Sequence, residues 1–181
     1  QTKNTINFSG TANLNEKLSI SSSVSYVNTH GNLGGSGYTF NNPGMQTIWT
    51  ARQVDWEYQR THNENPDGTQ ISWINSCHDN PYWMQYKNLN PQTENRLMGF
   101  ASVKYEFTDW LSLMVRSGID YSNEQFELKR AYYSMDYQEG RYNVNNYFRQ
   151  EINSDFLFSA NKNLTDDLSL SANLGGNIMN Q

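Results

Sequence analysis

A strict alternation of apolar and polar residues, interrupted by short polar turns, is the feature that most constrains the fold of this chain. The phrase TDWLSL at 108–113 recurs as TDDLSL at 165–170 and, more loosely, as NEKLSI at 15–20. On both sides of each phrase the apolar residues keep a period of two, the spacing at which β-strand side chains point to one face of a sheet. Each phrase therefore predicts the tight turn of a β-hairpin, and together they predict six antiparallel strands.

The predicted strands are about 11 residues long, and each carries one apolar and one polar face. Small polar residues, mostly Ser, Asn and Thr, occupy the polar face, which Phe100 and Leu157 interrupt. The main apolar positions are Ile6, Phe8, Leu18, Ile20, Val24, Leu97, Val103, Leu111, Leu113, Val115, Ile119, Ile152, Phe156, Phe158, Leu168, Leu170, Leu174 and Ile178.

The predicted connections are very unequal in length. All three tight turns lie at one end of an up-and-down sheet, whereas long connections over 28–96 and 122–151 lie at the other. Short turns, long opposite loops and alternating strands of this length are typical of a transmembrane β-barrel of the bacterial outer membrane. Aromatic residues near the strand ends fit the interfacial girdles of such barrels, namely Tyr26, Tyr105, Phe107, Trp110 and Tyr121.

A soluble β-sandwich or lipocalin-like barrel is the alternative fold, since its strands alternate in the same way. The connection over 28–96 argues against it, because long structureless loops are uncommon in compact domains. Six strands fall short of the usual minimum of about eight for a transmembrane barrel. We therefore expect this chain to be part of a larger barrel and a piece of a longer polypeptide.

Composition and charge exclude several classes of function. The net charge is −5, with no basic stripe, so we expect no nucleic-acid partner. Cys77, His78 and Asp79 are adjacent, and His30 and His62 lack ligand-like spacing to them, so we expect no metal site. No phosphate loop or nucleophile motif occurs, and we expect neither a cofactor nor an enzymatic activity.

The connection over 28–96 has an organisation of its own. We predict one helix of about three turns within 45–60, a turn at 65–68, a short strand at 69–75 and a further turn before the aromatic pair at 82–83. In the connection over 122–151 we predict strands that continue past the membrane and end in a projecting hairpin with its tip at 138–141.

Aromatic side chains of the long connection are the candidate substrate-binding residues. Indole and phenol rings stack on the apolar C–H faces of sugars. The alternative is that these rings only pack the connection together. The candidates are Trp49, Trp56, Tyr58, Trp73, Tyr82 and Trp83.

Three segments resemble a known family. RQVD at 52–55, DNPYW at 79–83 and NRLMGFASVKYEFTDWLSLMVRSGIDY at 95–121 resemble the SusC/RagA-type TonB-dependent transporters of Bacteroidetes outer membranes. The resemblance implies a 22-stranded barrel with a plug domain, import energised through the TonB system, and a SusD-like surface lipoprotein as partner. It also implies oligosaccharide or peptide substrates.

Two functions follow as hypotheses. The first is a segment of an outer-membrane nutrient importer, with its apolar face toward lipid and its polar face toward the lumen. The second is a soluble or surface-attached β-domain that binds glycan or acts as an adhesin. The two differ in sidedness: the importer requires Leu111, Leu113 and Val115 to face outward and Ser112 and Arg116 to face inward.

Overall fold

The computed structural model describes residues 1–35, 41–74, 77–165 and 167–181, and its main feature is one six-stranded sheet. Strands adjacent in sequence are adjacent in the sheet, in the order β1 to β6. The predicted all-β, up-and-down antiparallel arrangement is therefore confirmed. The strands are β1 (Thr2–Asn13), β2 (Leu18–Asn32), β3 (Pro91–Thr108), β4 (Leu111–Ser134), β5 (Tyr137–Thr165) and β6 (Leu168–Asn180).

The three repeated phrases form tight turns, as predicted. In the first turn the Asn15 side-chain oxygen accepts hydrogen bonds from the Lys17 and Leu18 backbone N–H groups, both at 2.8 Å. The second turn joins β3 to β4, and the third joins β5 to β6, although Asp166 within it lies outside the described residues. The strands are longer than the predicted 11 residues, reaching 24 residues in β4 and 29 in β5.

Three short helices form in the connection over 28–96: two of them overlap the single helix predicted within 45–60, and the third was not predicted. They are α1 (Pro43–Ile48), α2 (Trp56–Thr61) and α3 (Pro81–Lys87). The predicted helix is interrupted because Asp55 caps a new one: its carboxylate accepts a hydrogen bond from the Tyr58 N–H at 3.0 Å. The apolar residues keep a helical spacing through the segment between α1 and α2, so periodicity alone does not indicate that the helix ends there.

Two further predictions about the connections were wrong. The segment predicted as a strand at 69–75 contributes only an isolated bridge between Glu64 and Gln70, and Asn75 lies outside the described residues. The tip of the second connection lies between Ser134 and Tyr137, not at 138–141. There Tyr133 takes a positive φ of 70°, while Gly140, expected at the tip, lies inside β5 with a φ of 73°.

The register of β5 with β6 shows the two faces directly. Phe158 pairs with Leu174 and Ala160 pairs with Ala172, whereas the intervening Ser159 pairs with Asn173. Apolar residues therefore predominate on one face of this hairpin and polar residues on the other, with Leu157 and Met179 on the polar face and Lys162 on the apolar face. The apolar face is solvent-exposed in the described structure: Leu174 is 69% exposed, Ile178 75% and, on β1, Phe8 71%.

The chain divides into two compact units. The first, called the loop unit, comprises Gln1–Thr2, Thr29–Thr93 and Glu124–Asn146. The second, called the strand unit, comprises Lys3–Asn28, Glu94–Asn123 and Tyr147–Gln181. Among the described residues, no helix is both long and apolar enough to cross a membrane.

A set of hydrogen bonds joins the two ends of the long connection within the loop unit. The Leu33 N–H donates to the Asn90 carbonyl at 2.8 Å, and the Asn90 side-chain amide donates to the Leu33 carbonyl at 2.8 Å. The Asn90 N–H donates to the Asn32 side-chain oxygen at 2.6 Å. Because Asn90 is buried, water cannot easily compete for these bonds.

Candidate functional site

The loop unit has an interior that is more polar than apolar. Trp83 and Met84 are the large apolar side chains that are fully buried in the described part of the chain. Around them lie buried polar groups that must be hydrogen-bonded to be tolerated. These are Gln46, Gln59, Asp79, Asn80, Asn88, Asn90, Arg130 and Ser134.

Asn80 is the centre of this polar interior. Its side-chain amide donates to the Ile71 carbonyl at 2.8 Å and to both the backbone and side-chain oxygens of Gln59 at 3.0 Å. Its side-chain oxygen accepts from the Tyr82 N–H at 2.9 Å, which caps α3. One buried side chain thus connects α2, α3 and the segment before α3, and fixes how the aromatic residues on them are placed.

Asp79 connects the long connection to the β4–β5 hairpin of the same unit. Its carboxylate accepts hydrogen bonds from the Gln70 side chain at 2.5 Å and from the Met135 N–H at 2.8 Å. Burial raises the pKa of the Asp79 carboxyl, and these two hydrogen bonds partly oppose that effect.

An aromatic stack forms on the loop unit from Trp49, His78 and Trp73. The His78 ring lies between the two indoles, with centroid distances of 6.4 Å to Trp49 and 5.2 Å to Trp73. The interplanar angles of 22° and 18° make both contacts stacked. The Gln46 side-chain oxygen lies 2.6 Å from His78 Nδ1 and holds the imidazole in this orientation.

The outer surface of the aromatic stack is accessible. Trp49, the residue after α1, is 55% exposed. The Trp73 indole Nε1 is buried without a hydrogen-bond partner in the described structure. The stack therefore presents exposed aromatic surface at Trp49 beside a polar interior.

The six candidate residues separate into distinct groups. Trp49 and Trp73 meet in the aromatic stack, whereas Trp56 and Tyr82 contact each other edge to face at 6.3 Å. Tyr58, half exposed, stacks instead on His62 at 4.4 Å. Trp83 is 1% exposed, so its ring fills the interior and presents no face to a ligand.

His78 is the site residue that the sequence did not reveal. In the sequence His78 is the middle residue of Cys77-His78-Asp79, where we expected no metal site. In the structure Cys77 is exposed, Asp79 is buried, and His78 is in the aromatic stack. No group of three metal-ligating side chains converges within the ranges that the structure describes. No local sequence pattern indicates that a single histidine in a loop stacks on aromatic rings.

The polar face of the strand unit carries cross-strand ion pairs. Arg96 on β3 pairs with Asp120 on β4 at 2.5 Å, and Arg116 on β4 pairs with Asp155 on β5 at 2.8 Å. All four residues lie on the face opposite the exposed aliphatic residues. These half-exposed pairs each stabilise the sheet only modestly, but they mark this face as one that contacts water.

Comparison with known proteins gives no independent assignment. No protein-family model matches this chain, and no curated protein shows significant sequence similarity to it.

Proposed function

We propose that this chain is a membrane-spanning segment of a TonB-dependent outer-membrane importer for oligosaccharides. The observation that carries the proposal is the two-sided strand unit: exposed aliphatic and aromatic residues on one face, ion pairs and small polar residues on the other. Contact with water is unfavourable for the apolar face, and contact with lipid is unfavourable for the polar face. A sheet between lipid and a hydrated lumen satisfies both.

The loop unit supplies the ligand-binding part of this proposal. Its aromatic stack offers Trp49 as an exposed ring, with Trp56 and Tyr82 as a second aromatic pair. In the proposed importer this unit faces the extracellular side, where a SusD-like lipoprotein covers it. The plug and the TonB contact belong to other parts of the transporter.

Solvent accessibility of paired positions tests the membrane arrangement. Phe158 and Ser159 are adjacent on β5 and lie on opposite faces according to the register with β6. In the full-length protein with Cys77→Ser, reconstituted in lipid bilayers, nitroxide labels are attached at Phe158→Cys or Ser159→Cys. We expect the label at 158 to be relaxed by oxygen and the label at 159 by a water-soluble nickel reagent. A label at 158 that is shielded from both reagents would instead show the enclosed core of a soluble β-domain.

Saccharide binding is tested at the aromatic stack. Trp49→Ala removes the exposed ring, and we expect it to weaken binding of a neutral oligosaccharide about tenfold, since each aromatic contact contributes roughly 1 kcal/mol or more. Tyr86→Ala is the matched control, because Tyr86 is an exposed aromatic residue of α3 in the same unit. Equal affinities of the two variants, measured by isothermal titration calorimetry, would remove Trp49 from the site.

A further inference from the structure

A shallow cavity in the loop unit, wide open to solvent, has a strongly positive lining. Its volume is about 360 Å³, and four of its lining residues are cationic, namely Lys87, Lys129, Arg130 and Arg141. Glu139 is the acidic residue in the lining. The chain as a whole carries a net charge of −5, so the positive charge of this lining is opposite in sign to the net charge of the protein.

Two of the four cations already have acidic partners. Lys87 pairs with Glu64 and Lys129 pairs with Glu127, each at 2.8 Å. Their charges are therefore largely balanced in the structure.

The charges of Arg130 and Arg141 are not balanced by an ion pair. In the described residues no carboxylate lies within ion-pair distance of either guanidinium. Arg130 donates from Nη1 to the Lys129 carbonyl at 2.8 Å, and its Nε is buried without a partner. Arg141 donates to the Tyr137 hydroxyl at 3.2 Å.

Burial makes the unbalanced charge of Arg130 costly. Arg130 is only 8% exposed. Burial lowers the pKa of its guanidinium. Tyr137 and the Asp79 carboxylate oppose this effect, whereas the positive charge of Arg141 adds to it. A buried guanidinium is tolerated when an anion accepts its hydrogen bonds, and Arg is the side chain whose donors best match an oxyanion.

Exposed aromatic rings border the same cavity. Tyr132 is 66% exposed and Tyr142 is 62% exposed, and both line it. Lys129 Nζ lies 5.8 Å from the centre of the Tyr142 ring, so a cation already contacts one face of that ring. Cationic groups beside exposed phenol rings can bind the charged group and the apolar face of one acidic sugar residue. The volume lies at the lower end of the range for small-ligand pockets, which suits a ligand of this size.

A second cavity shows that this charge pattern is not general. It has a volume of about 490 Å³, lies in the strand unit, and mixes acidic and basic lining residues, namely Glu94, Arg96, Asp120, Arg149 and Glu151.

We propose that the cavity lined by Arg130 and Arg141 binds the anionic group, a carboxylate or a sulfate, of an acidic oligosaccharide. This inference rests on the proposed saccharide-binding function and narrows its substrate class. The two guanidiniums donate hydrogen bonds to the anion, and Tyr132 and Tyr142 contact the sugar ring.

Calorimetric titration of the full-length protein tests the proposal with four probes: a uronic-acid disaccharide, a sulfated disaccharide, a neutral disaccharide and a triglutamate peptide. Arg141→Gln should weaken binding of an acidic disaccharide about tenfold or more, because it removes a charge-assisted hydrogen bond. Arg141→Lys should have a smaller effect, since it keeps the charge. Glu139→Gln should strengthen binding, a gain that misfolding cannot produce.

Arg60→Gln is the matched control, because Arg60 is an exposed arginine of the same unit, on α2, outside this cavity. The relative affinities for the uronic-acid and sulfated probes identify which anion the site prefers. If the neutral disaccharide binds and neither acidic one binds more tightly, the anion site is wrong while saccharide binding stands. If no disaccharide binds, the saccharide function itself fails. Preferential binding of triglutamate would also overturn the proposal, since the occupant would then be an acidic peptide.

Discussion

At the residue scale, the loop unit depends on a few buried polar side chains. Asn80 and Asp79 are adjacent, and together they hold α2, α3 and the β4–β5 hairpin by hydrogen bonds. A carboxylate in such an interior is unusual, because burial disfavours its charged form. Asp79 therefore gives the loop unit a pH dependence of its own.

Replacing Asp79 should change how stability depends on pH. The folded-state pKa of Asp79 is raised above its ordinary value of 3.8, so the folded protein holds this proton more tightly than the unfolded one. Its contribution to the free energy of unfolding therefore falls as pH rises from 3.8 through the folded-state pKa. We expect Asp79→Asn to gain stability relative to wild type as pH increases through this window, as measured by urea unfolding.

Asp67→Asn provides a control of opposite sign. Hydrogen bonds from the Thr69 hydroxyl and N–H lower the pKa of the exposed Asp67 carboxyl. Its stabilising contribution is present above the ordinary value of 3.8 and is lost as pH falls through the folded-state pKa. Asp67→Asn should thus lose stability relative to wild type as pH rises, and equal slopes for the two variants would contradict the role given to Asp79.

The sequence identified residue types at the site better than their placement. Aromatic residues of the long connection were the candidate substrate-binding residues, and two of them, Trp49 and Trp73, each stack on His78. The burial of Trp83 and the position of His78 between two indoles depend on contacts between segments far apart in the chain. Such contacts leave no local pattern, because each side chain alone is compatible with an exposed loop.

At the element scale, close strand packing depends on particular glycines. A Cβ atom added at Gly99 on β3 would lie 2.7 Å from the Ser23 carbonyl oxygen of β2, too close for a real contact. At Gly10 on β1 an added Cβ would meet nothing within 4 Å. The two glycines therefore have different roles although both lie within strands.

Alanine at these two positions should have opposite effects. Gly99→Ala forces the β2 and β3 backbones apart, and we expect it to lower the free energy of unfolding by about 1–3 kcal/mol. Gly10→Ala should be neutral or stabilise by up to about 1 kcal/mol, because alanine restricts the unfolded chain. Equilibrium unfolding in urea compares them; a loss at Gly10 as large as that at Gly99 would show that strand glycines matter for a reason other than spacing.

The sequence predicted the strands more reliably than the helices. A period of two, repeated around a recurring turn phrase, correctly predicted the number and order of the strands. The helices are six or seven residues long, shorter than the window over which helical periodicity can be measured. Their N-terminal ends are set by the N-cap residues Asn42, Asp55 and Asn80. The spacing of apolar residues did not identify these three positions as helix starts.

At the scale of the whole molecule, the question is what covers the apolar face of the sheet. Leu174 and Asn173 are neighbours on β6, and they pair with Phe158 and Ser159 on β5. Leu174 and Asn173 are both exposed in the described structure. The two positions therefore differ in which face of the sheet they occupy, and so in the environment that this face meets in the assembled protein.

Arginine at these neighbouring positions tests the proposed lipid contact. Leu174→Arg should lower stability in a lipid bilayer by about 2–4 kcal/mol if the position lies near the midplane. Asn173→Arg should change stability by no more than about 1 kcal/mol, because the lumen is hydrated. Folding in lipid vesicles, followed by urea titration, measures both, and equal costs would count against a lipid-facing surface.

The hydrogen bonds of Asn90 with Asn32 and Leu33 bring together the end of β2 and the start of β3. Turns of at most four residues join the other neighbouring strands, so those hairpins form by local search. Strands β2 and β3 can pair only after residues 33–90 bring their ends together, and the entropy lost on closing a loop grows with its length. The connection has its own helices and buried centre, and Asn90 fastens its two ends where the strands begin. We therefore expect folding of the loop unit to be the slow step and to precede the pairing of β2 with β3.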